Sequence, residues 1–132
     1  MTQKITGRQF DQERALYGLR DAQVTDCVFA GPADGESALK EVRRVELRDC
    51  AFSLRYPLWH AQNFTAVGCT LDEATRAPIW YARHGVLEDC SIQSVKALRE
   101  CEDIALRRCR VASPEFGWRC RGLEIRDGEM ES

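Results

Sequence analysis

The chain repeats one pattern of apolar positions at intervals of about twenty residues. In each repeat, two apolar residues separated by one residue are followed, after two intervening residues, by a second such pair. The second pair opens at an anchor position, and the successive anchors are Cys27, Cys50, Cys69, Cys90, Cys109 and Gly128. A period this short leaves no room for long helices, so it predicts a solenoid in which each turn buries its apolar face against its neighbours.

Within each repeat the step between apolar positions identifies strands and corners. Steps of two residues are typical of strands, because alternate side chains point to the same face. Steps of three break this alternation and indicate a corner. We therefore predict an all-β parallel β-helix, with three short strands and two tight corners in each coil. About six coils span residues 13–130, and residues 1–12 form an N-terminal cap with Phe10 as its apolar anchor, all within one domain, 1–132.

A leucine-rich-repeat-like solenoid is the alternative fold. The segment from Cys101 to Val111 fits that consensus, and the match recurs in several repeats. A repeat of 19 residues leaves only about eight for a convex helix, which is short for that class. Segments such as 53–58 and 113–117 contain proline and aromatic residues that favour a turn followed by a strand. The lengths therefore favour the β-helix.

Four phrases resemble one family. They are Arg55-Tyr-Pro-Leu-Trp-His-Ala61, Arg76-Ala-Pro-Ile-Trp-Tyr-Ala82, Lys96-Ala-Leu-Arg-Glu-Cys101 and Ser113-Pro-Glu-Phe-Gly-Trp118. Together they resemble an uncharacterised bacterial domain-of-unknown-function family with a pectate-lyase-like, right-handed β-helix fold. The resemblance covers roughly residues 10–130 and looks like the N-terminal half of a longer member. It implies the fold and its hand, and no activity.

Composition and charge limit the classes of binding partner and the cellular compartment that we expect for this protein. The net charge of -2 argues against general nucleic-acid binding, which needs a basic surface. There is no long apolar run and no signal-peptide core at the start, so we expect a cytoplasmic protein without membrane attachment. The seven cysteines are spaced by whole coils and lack paired metal-ligand motifs. We interpret them as reduced, packed thiols, with no metal and no cofactor.

One column of the repeat is the candidate ligand-binding surface. Ten residues before each anchor stand Tyr17, Lys40, Trp59, Trp80, Arg99 and Trp118. Nine residues before each anchor stand Gly18, Glu41, His60, Tyr81, Glu100 and Arg119. Burying unpaired cations in a narrow interior is costly, so we expect both columns to face outward as an aromatic ribbon flanked by ionisable groups.

The ribbon has three interpretations. Exposed rings stack on the apolar faces of sugars, so a carbohydrate-binding or scaffold module is one; its ligand-binding candidates are Tyr17, Lys40, Trp59, Trp80, Tyr81, Arg99 and Trp118. Alternatively, the rings and cations stack on each other and stiffen the solenoid. In the third interpretation the ribbon packs against a second half of the protein or another subunit.

A polysaccharide-active lyase or hydrolase is the competing class. Its weak catalytic candidates are His60, Arg99 and Glu100. A pair of carboxyl groups at hydrolase spacing is missing from this face, and so is an acidic cluster for calcium. The enzyme hypothesis therefore needs a missing half or a partner to complete the site. Without it, we expect a non-catalytic protein.

The C-terminal coil predicts association. Ile125 and Met130 complete the last coil, and Glu131 and Ser132 follow without an amphipathic cap. An open coil end exposes strand edges and apolar core. We therefore expect a homo-oligomer formed through this coil, or docking of a second β-helical half.

Overall fold

The fold is a β-solenoid of about seven turns built from two parallel sheets. A computed structural model of the chain describes residues 2–131, and each turn in it contributes one strand to each sheet. The first sheet contains β1 (Gln3–Thr6), β3 (Arg20–Thr25), β5 (Arg43–Arg48), β7 (Gln62–Val67), β9 (Arg83–Glu88), β11 (Glu102–Arg107) and β13 (Arg121–Arg126). The second contains β2 (Gln9–Phe10), β4 (Val28–Phe29), β6 (Ala51–Phe52), β8 (Thr70–Leu71), β10 (Ser91–Gln93), β12 (Arg110–Ala112) and β14 (Glu129–Glu131).

This architecture confirms the all-β parallel solenoid and excludes the leucine-rich-repeat alternative. In residues 2–131 the helical structure is a single 3-10 turn, Glu73–Thr75, so the convex helices of a leucine-rich repeat are absent. Strands pair in register from turn to turn, as in Val24 with Leu47 and Phe29 with Phe52. The predicted columns are therefore real stacks of side chains.

The core is one cluster that runs through the coil. All five anchor cysteines are buried, as are the apolar residues three before them and two after them, from Val24 to Val111. Gly85 shows how tightly these columns fit, because a Cβ atom there would collide with the ring of Phe64 in the turn below. A large side chain in one turn is matched by a missing one in the next.

Left-handed backbone conformations make the corners. The residues directly before the anchors all have positive φ, including Asp26 at 53°, Asp49 at 52° and Asp89 at 53°. Aspartate tolerates this region because its short side chain bonds the local backbone. The aspartates are therefore turn formers, as their positions predict.

The structure differs from the prediction in two elements. Residues 3–10, predicted as a cap, add a further turn, because β1 pairs with β3 and β2 with β4. The third strand of each coil is absent from the part of the chain described. Positive φ at positions such as Leu58 (62°) and His60 (59°) bends that side, and it is joined by the isolated bridges of Trp80 with Arg99 and Arg99 with Trp118.

Free thiols stack along the interior. All seven cysteines are unpaired by disulfides, and their thiols donate to carbonyl oxygens, many of them in the turn below. Cys50 Sγ lies 3.4 Å from Val24 O, and Cys90 Sγ lies 3.4 Å from Ala66 O. Cysteine here acts as a small apolar side chain that also satisfies a buried carbonyl.

Candidate functional site

The predicted ribbon lies on the bent third side of the solenoid. The residues on both sides of each column member have positive φ, for example Ile79 at 61° and Tyr81 at 59°. This zigzag turns the intervening side chain, here Trp80, away from the core. The backbone still hydrogen-bonds between turns, since Tyr81 N donates to Arg99 O at 2.9 Å. The column is thus held at the spacing of the turns.

Four members of the column form a continuous stack, which we call the outer stack: Trp59, Trp80, Arg99 and Trp118. The rings of Trp59 and Trp80 have centroids 4.9 Å apart and planes only 6° from parallel. Cζ of Arg99 lies 4.8 Å from the centroid of Trp80 and 4.3 Å from that of Trp118. The guanidinium is therefore clamped between two indole rings.

The indole N–H groups fasten the stack to the backbone. Trp59 Nε1 donates to Ala77 O at 2.7 Å, and Trp80 Nε1 donates to Lys96 O at 2.7 Å. Both ring donors are consequently used within the protein, and both rings are fixed in orientation.

The neighbouring column supports the stack from the side. The ring of His60 stacks on Tyr81 at 4.9 Å, and Tyr81 presents its edge to Trp59 at 5.7 Å. Glu100 Oε2 lies 3.4 Å from Arg99 Nε. These contacts order the charged side chains around the rings.

The other ribbon members lie near the N-terminal end of the column. Tyr17 donates a hydrogen bond of 2.8 Å to Glu41, and this bond is the main reason that the pKa of Tyr17 is raised. Lys40 is half-buried, in the turn between Tyr17 and Trp59. Neither residue joins the outer stack.

All the ligand-binding candidates are at least partly accessible, but the rings of the outer stack have neighbours on their faces. Tyr17 and Trp118 are 51% and 48% exposed, and Lys40, Trp59, Trp80, Tyr81 and Arg99 are half-buried. A platform for sugars needs open faces, whereas Trp80 has Trp59 against one face and Arg99 against the other. The flat external platform suggested by the sequence is therefore closed by the stacking itself. The edges of the rings remain accessible.

The catalytic candidates share one side of the molecule without forming a compact group. His60 and Glu100 are exposed and lie two turns apart, a separation of about 10 Å. Arg99 is clamped and adjoins Glu100. Among residues 2–131, no three His, Cys, Asp or Glu side chains come together in a way that would hold a metal ion.

A groove runs beside the outer stack. It consists of two hollows of about 800 and 430 Å³, both lined by Trp80, Lys96 and Pro114. Tyr56, Arg76, Gln93 and Ser94 are among the further lining residues of the larger hollow. Arg99, Phe116 and Trp118 are among those of the smaller one. We call the two together the stack groove, and each hollow lies within the size range of ligand sites.

The sequence did not indicate the importance of Ser94. Its hydroxyl oxygen is buried and has no hydrogen-bond partner among the described residues. One turn later, Ser113 accepts from Ala97 N at 3.0 Å and donates to Val95 O at 3.0 Å. The position equivalent to Ala97 is Pro78, which has no N–H. Pro78, at the position equivalent to Ala97, is the feature of the sequence that could have indicated the unpaired hydroxyl of Ser94.

A second hollow of about 930 Å³ lies on the other side of the column. His60, Tyr81, Arg83, Glu100 and Arg119 are among its lining residues. The outer stack is therefore a ridge between two depressions. Unlike the stack groove, this depression has no unpaired buried hydroxyl among its described lining residues.

These features define a β-solenoid that carries a mixed aromatic and cationic ridge with a groove along it. A family model described as a protein of unknown function (DUF3737) matches residues 3–132, and the chain belongs to that family. The match confirms the resemblance to a family of unknown function. No curated protein matches the chain. Within residues 2–131, no helix has the length and apolar character needed to cross a membrane.

Proposed function

We propose that this protein is a non-catalytic binding module and that an oligosaccharide lies in the stack groove. The observation that carries the proposal is the groove itself, which follows the solenoid axis past Trp80, Lys96 and Trp118. A linear ligand laid along a solenoid meets a related set of side chains at each turn. A repeating sugar polymer has the matching periodic character.

The lining of the groove supports a ligand with both apolar and hydroxyl surfaces. Tyr56 and Trp80 supply aromatic surface, while Gln93 supplies an amide and Arg76 and Lys96 supply charged groups. Sites for such ligands combine mostly apolar walls with a few fixed polar groups. Because the ring faces are already stacked, the sugar is expected to contact ring edges and the groove floor.

A binding role fits this geometry better than catalysis. An arginine that acts as a general base must reach its substrate with an available side-chain nitrogen. Arg99 Nε is buried, and the guanidinium nitrogens that remain approachable present only N–H donors, so none is available to accept a proton. The enzyme alternative therefore requires groups beyond those that line the groove.

Two residues of the same column provide a matched test. Trp118 and Tyr17 are similarly exposed, at 48% and 51%, but only Trp118 lines the stack groove. We expect a glycan array to detect wild-type binding. We expect Trp118→Ala to weaken it at least tenfold, the equivalent of about 1.4 kcal/mol. Tyr17→Ala should bind like the wild type.

Folding of both variants is checked by circular dichroism and thermal unfolding. Absence of wild-type binding to any glycan would overturn the oligosaccharide assignment. Equal losses in folded Trp118→Ala and Tyr17→Ala proteins would show that the groove is not the site.

Self-association through the last turn stays a prediction. Ile125 and Met130 are 42% and 43% exposed there, so apolar surface is present. Sedimentation velocity over a range of concentrations tests it. An Ile125→Asp variant should then favour the monomer, because a charge at an apolar contact is costly to bury.

A further inference from the structure

Two cationic side chains in the stack groove have no acidic partner. Arg76 and Lys96 line the larger hollow, and in residues 2–131 no carboxylate oxygen lies within 4 Å of their side-chain nitrogens. Elsewhere on the surface many arginines are paired, as Arg44 is with Asp21 at 2.6 Å and Arg108 with Asp89 at 2.9 Å. The groove therefore presents positive charge that is free to meet a ligand.

The carboxylates that line the groove do not cancel this charge by direct contact. Glu73 accepts a hydrogen bond of 3.1 Å from Gln93. Glu115 lines the smaller hollow with Lys96 and Arg99, and forms no ion pair within the described residues. The groove thus has three cationic side chains and two acidic ones.

Arg99 adds a donor of fixed geometry. Its faces are covered by Trp80 and Trp118, so its remaining N–H groups can be approached only in the guanidinium plane. No described residue accepts a hydrogen bond from it, although Glu100 Oε2 is 3.4 Å from its Nε. A planar guanidinium matches the two oxygens of a carboxylate or the oxygens of a sulfate.

Ser94 is the second and independent observation. Its side chain is 5% exposed, it lines the larger hollow, and its hydroxyl oxygen has no partner in the part of the chain described. A buried hydroxyl without a partner destabilises the folded state, so such groups are rare unless they serve a role. Pro78 offers no N–H to the oxygen of Ser94. Arg76 O, the equivalent of the Val95 O that serves Ser113, already accepts from Val95 N and Lys96 N, so the hydroxyl proton of Ser94 has no internal acceptor.

We infer that Arg76, Ser94, Lys96 and Arg99 form a subsite for an anionic group, so that the oligosaccharide bound by this groove carries carboxylates or sulfates. This inference rests on the proposed function for the nature of the ligand. The anion subsite itself is independent of the sugar. The cations would supply the charge, and Ser94, whose hydroxyl oxygen is closed to solvent, would add a directed hydrogen bond by turning its side chain into the groove.

The first test uses uronic-acid oligosaccharides, each paired with its carboxyl-reduced counterpart, in calorimetric titrations. We expect the wild type to bind the acidic member at least tenfold more tightly. The Arg76→Gln/Lys96→Gln variant should lose that preference, and Lys4→Gln/Arg20→Gln, which removes the same charge at exposed positions outside the groove, should keep it. A wild type without preference, or a double variant that retains it, would overturn the subsite.

The outcomes separate the two proposals. Binding of neutral sugars that depends on Trp118, without any acidic preference, would keep the proposed function and reject the anion subsite. If no sugar binds, sodium sulfate is titrated into the protein instead. Its binding is monitored through the amide chemical shifts of residues 93–97. Saturable shifts that the double variant abolishes would retain the subsite without the sugar, and their absence would reject it.

Ser94 gives a test with opposite signs for stability and binding. Ser94→Ala removes an unpaired buried hydroxyl, so we expect a higher Tm together with a several-fold loss of sulfate or uronate affinity. Ser113→Ala is the matched control, since it removes two hydrogen bonds and should lower Tm. A Ser94→Ala protein with unchanged affinity would exclude Ser94 from the subsite.

Discussion

The solenoid contains two aromatic stacks, one inside and one outside, and they differ in what the repeat allows them to include. The inner stack is Phe10, Phe29 and Phe52, with centroids 5.2 and 4.6 Å apart. Its rings are buried and consist of hydrocarbon alone. The outer stack has nearly the same ring spacing, yet an arginine occupies one of its four levels.

The difference shows that the backbone sets the distance between stacked groups. Whether a stack can include a charged group depends on its exposure to water. Parallel strands and bridges hold successive turns at about 4.8 Å, so any column of flat groups tends to stack. Inside, a charge would lose its hydration without compensation. Outside, the guanidinium of Arg99 retains partial contact with water and gains the attraction of two indole faces.

The largest effect is expected from breaking the inner stack. Phe29 is fully buried between Phe10 and Phe52, so Phe29→Ala should lower the free energy of unfolding by about 3–5 kcal/mol. Trp118→Ala in the half-exposed outer stack should cost much less. Urea denaturation of the two variants measures both. A larger loss for Trp118→Ala would mean that the outer stack holds the fold together.

The second-largest effect is expected from the buried thiols, as a fall in the free energy of unfolding at alkaline pH. A hydrogen bond with Cys109 and burial raise the pKa of Cys90 from its usual value near 9 to about 12. The hydrogen bond from Cys50 lowers the pKa of Cys69, but its bond with Cys90 and its burial outweigh that, and the result is again about 12.

Between pH 9 and 12 the unfolded thiols therefore lose protons that the folded ones keep. The stability that these two thiols contribute is fully present below pH 9 and should fall by roughly a few kcal/mol as the pH rises toward 12. Denaturation midpoints across this range measure the fall. The variant Cys69→Ala/Cys90→Ala should have lower stability at neutral pH and a flatter alkaline decline, and an equally steep decline would rule out these thiols.

The smallest effect concerns the clamp on Arg99. A double-mutant cycle with Arg99→Met and Trp118→Ala should give a coupling energy of about 0.5–2 kcal/mol, as expected for a partly desolvated cation over a ring. Methionine keeps apolar contact with the rings, so the cycle isolates the charge. A coupling energy of zero would show that the clamp is packing without a cation–π contribution.

The sequence predicts the architecture well because the anchor spacing records each turn. The first turn is the exception: its anchor position is Arg8, an exposed cation over the ring of Phe10, so the apolar signal is missing there. The prediction of a third strand in each coil is wrong for another reason. Leu58 and Ile79 look like strand residues, but both adopt positive φ, which composition does not reveal.

The site is less predictable, because it depends on orientation and register. The column that contains Trp59, Trp80 and Trp118 was visible in the sequence, but the rotation that turns the ring faces onto one another was not. The lack of a partner for the buried hydroxyl of Ser94 depends on which residue of the turn below lies opposite it. That residue, Pro78, is recognisable only once the turns have been aligned.

The unequal lengths of the turns have a consequence for diversification. The two long repeats place their extra residues in the same surface loop, around Gly31–Glu36 in one and around the 3-10 turn Glu73–Thr75 in the other. The second of these loops supplies Glu73 and Arg76 to one part of the groove, while stacked levels of the coil supply Trp80 and Arg99. Insertions in this loop can thus change one wall of the groove without altering the register of the paired strands. Changes in this loop would therefore alter the ligand that the groove accepts while the strands and the core of the solenoid stay the same.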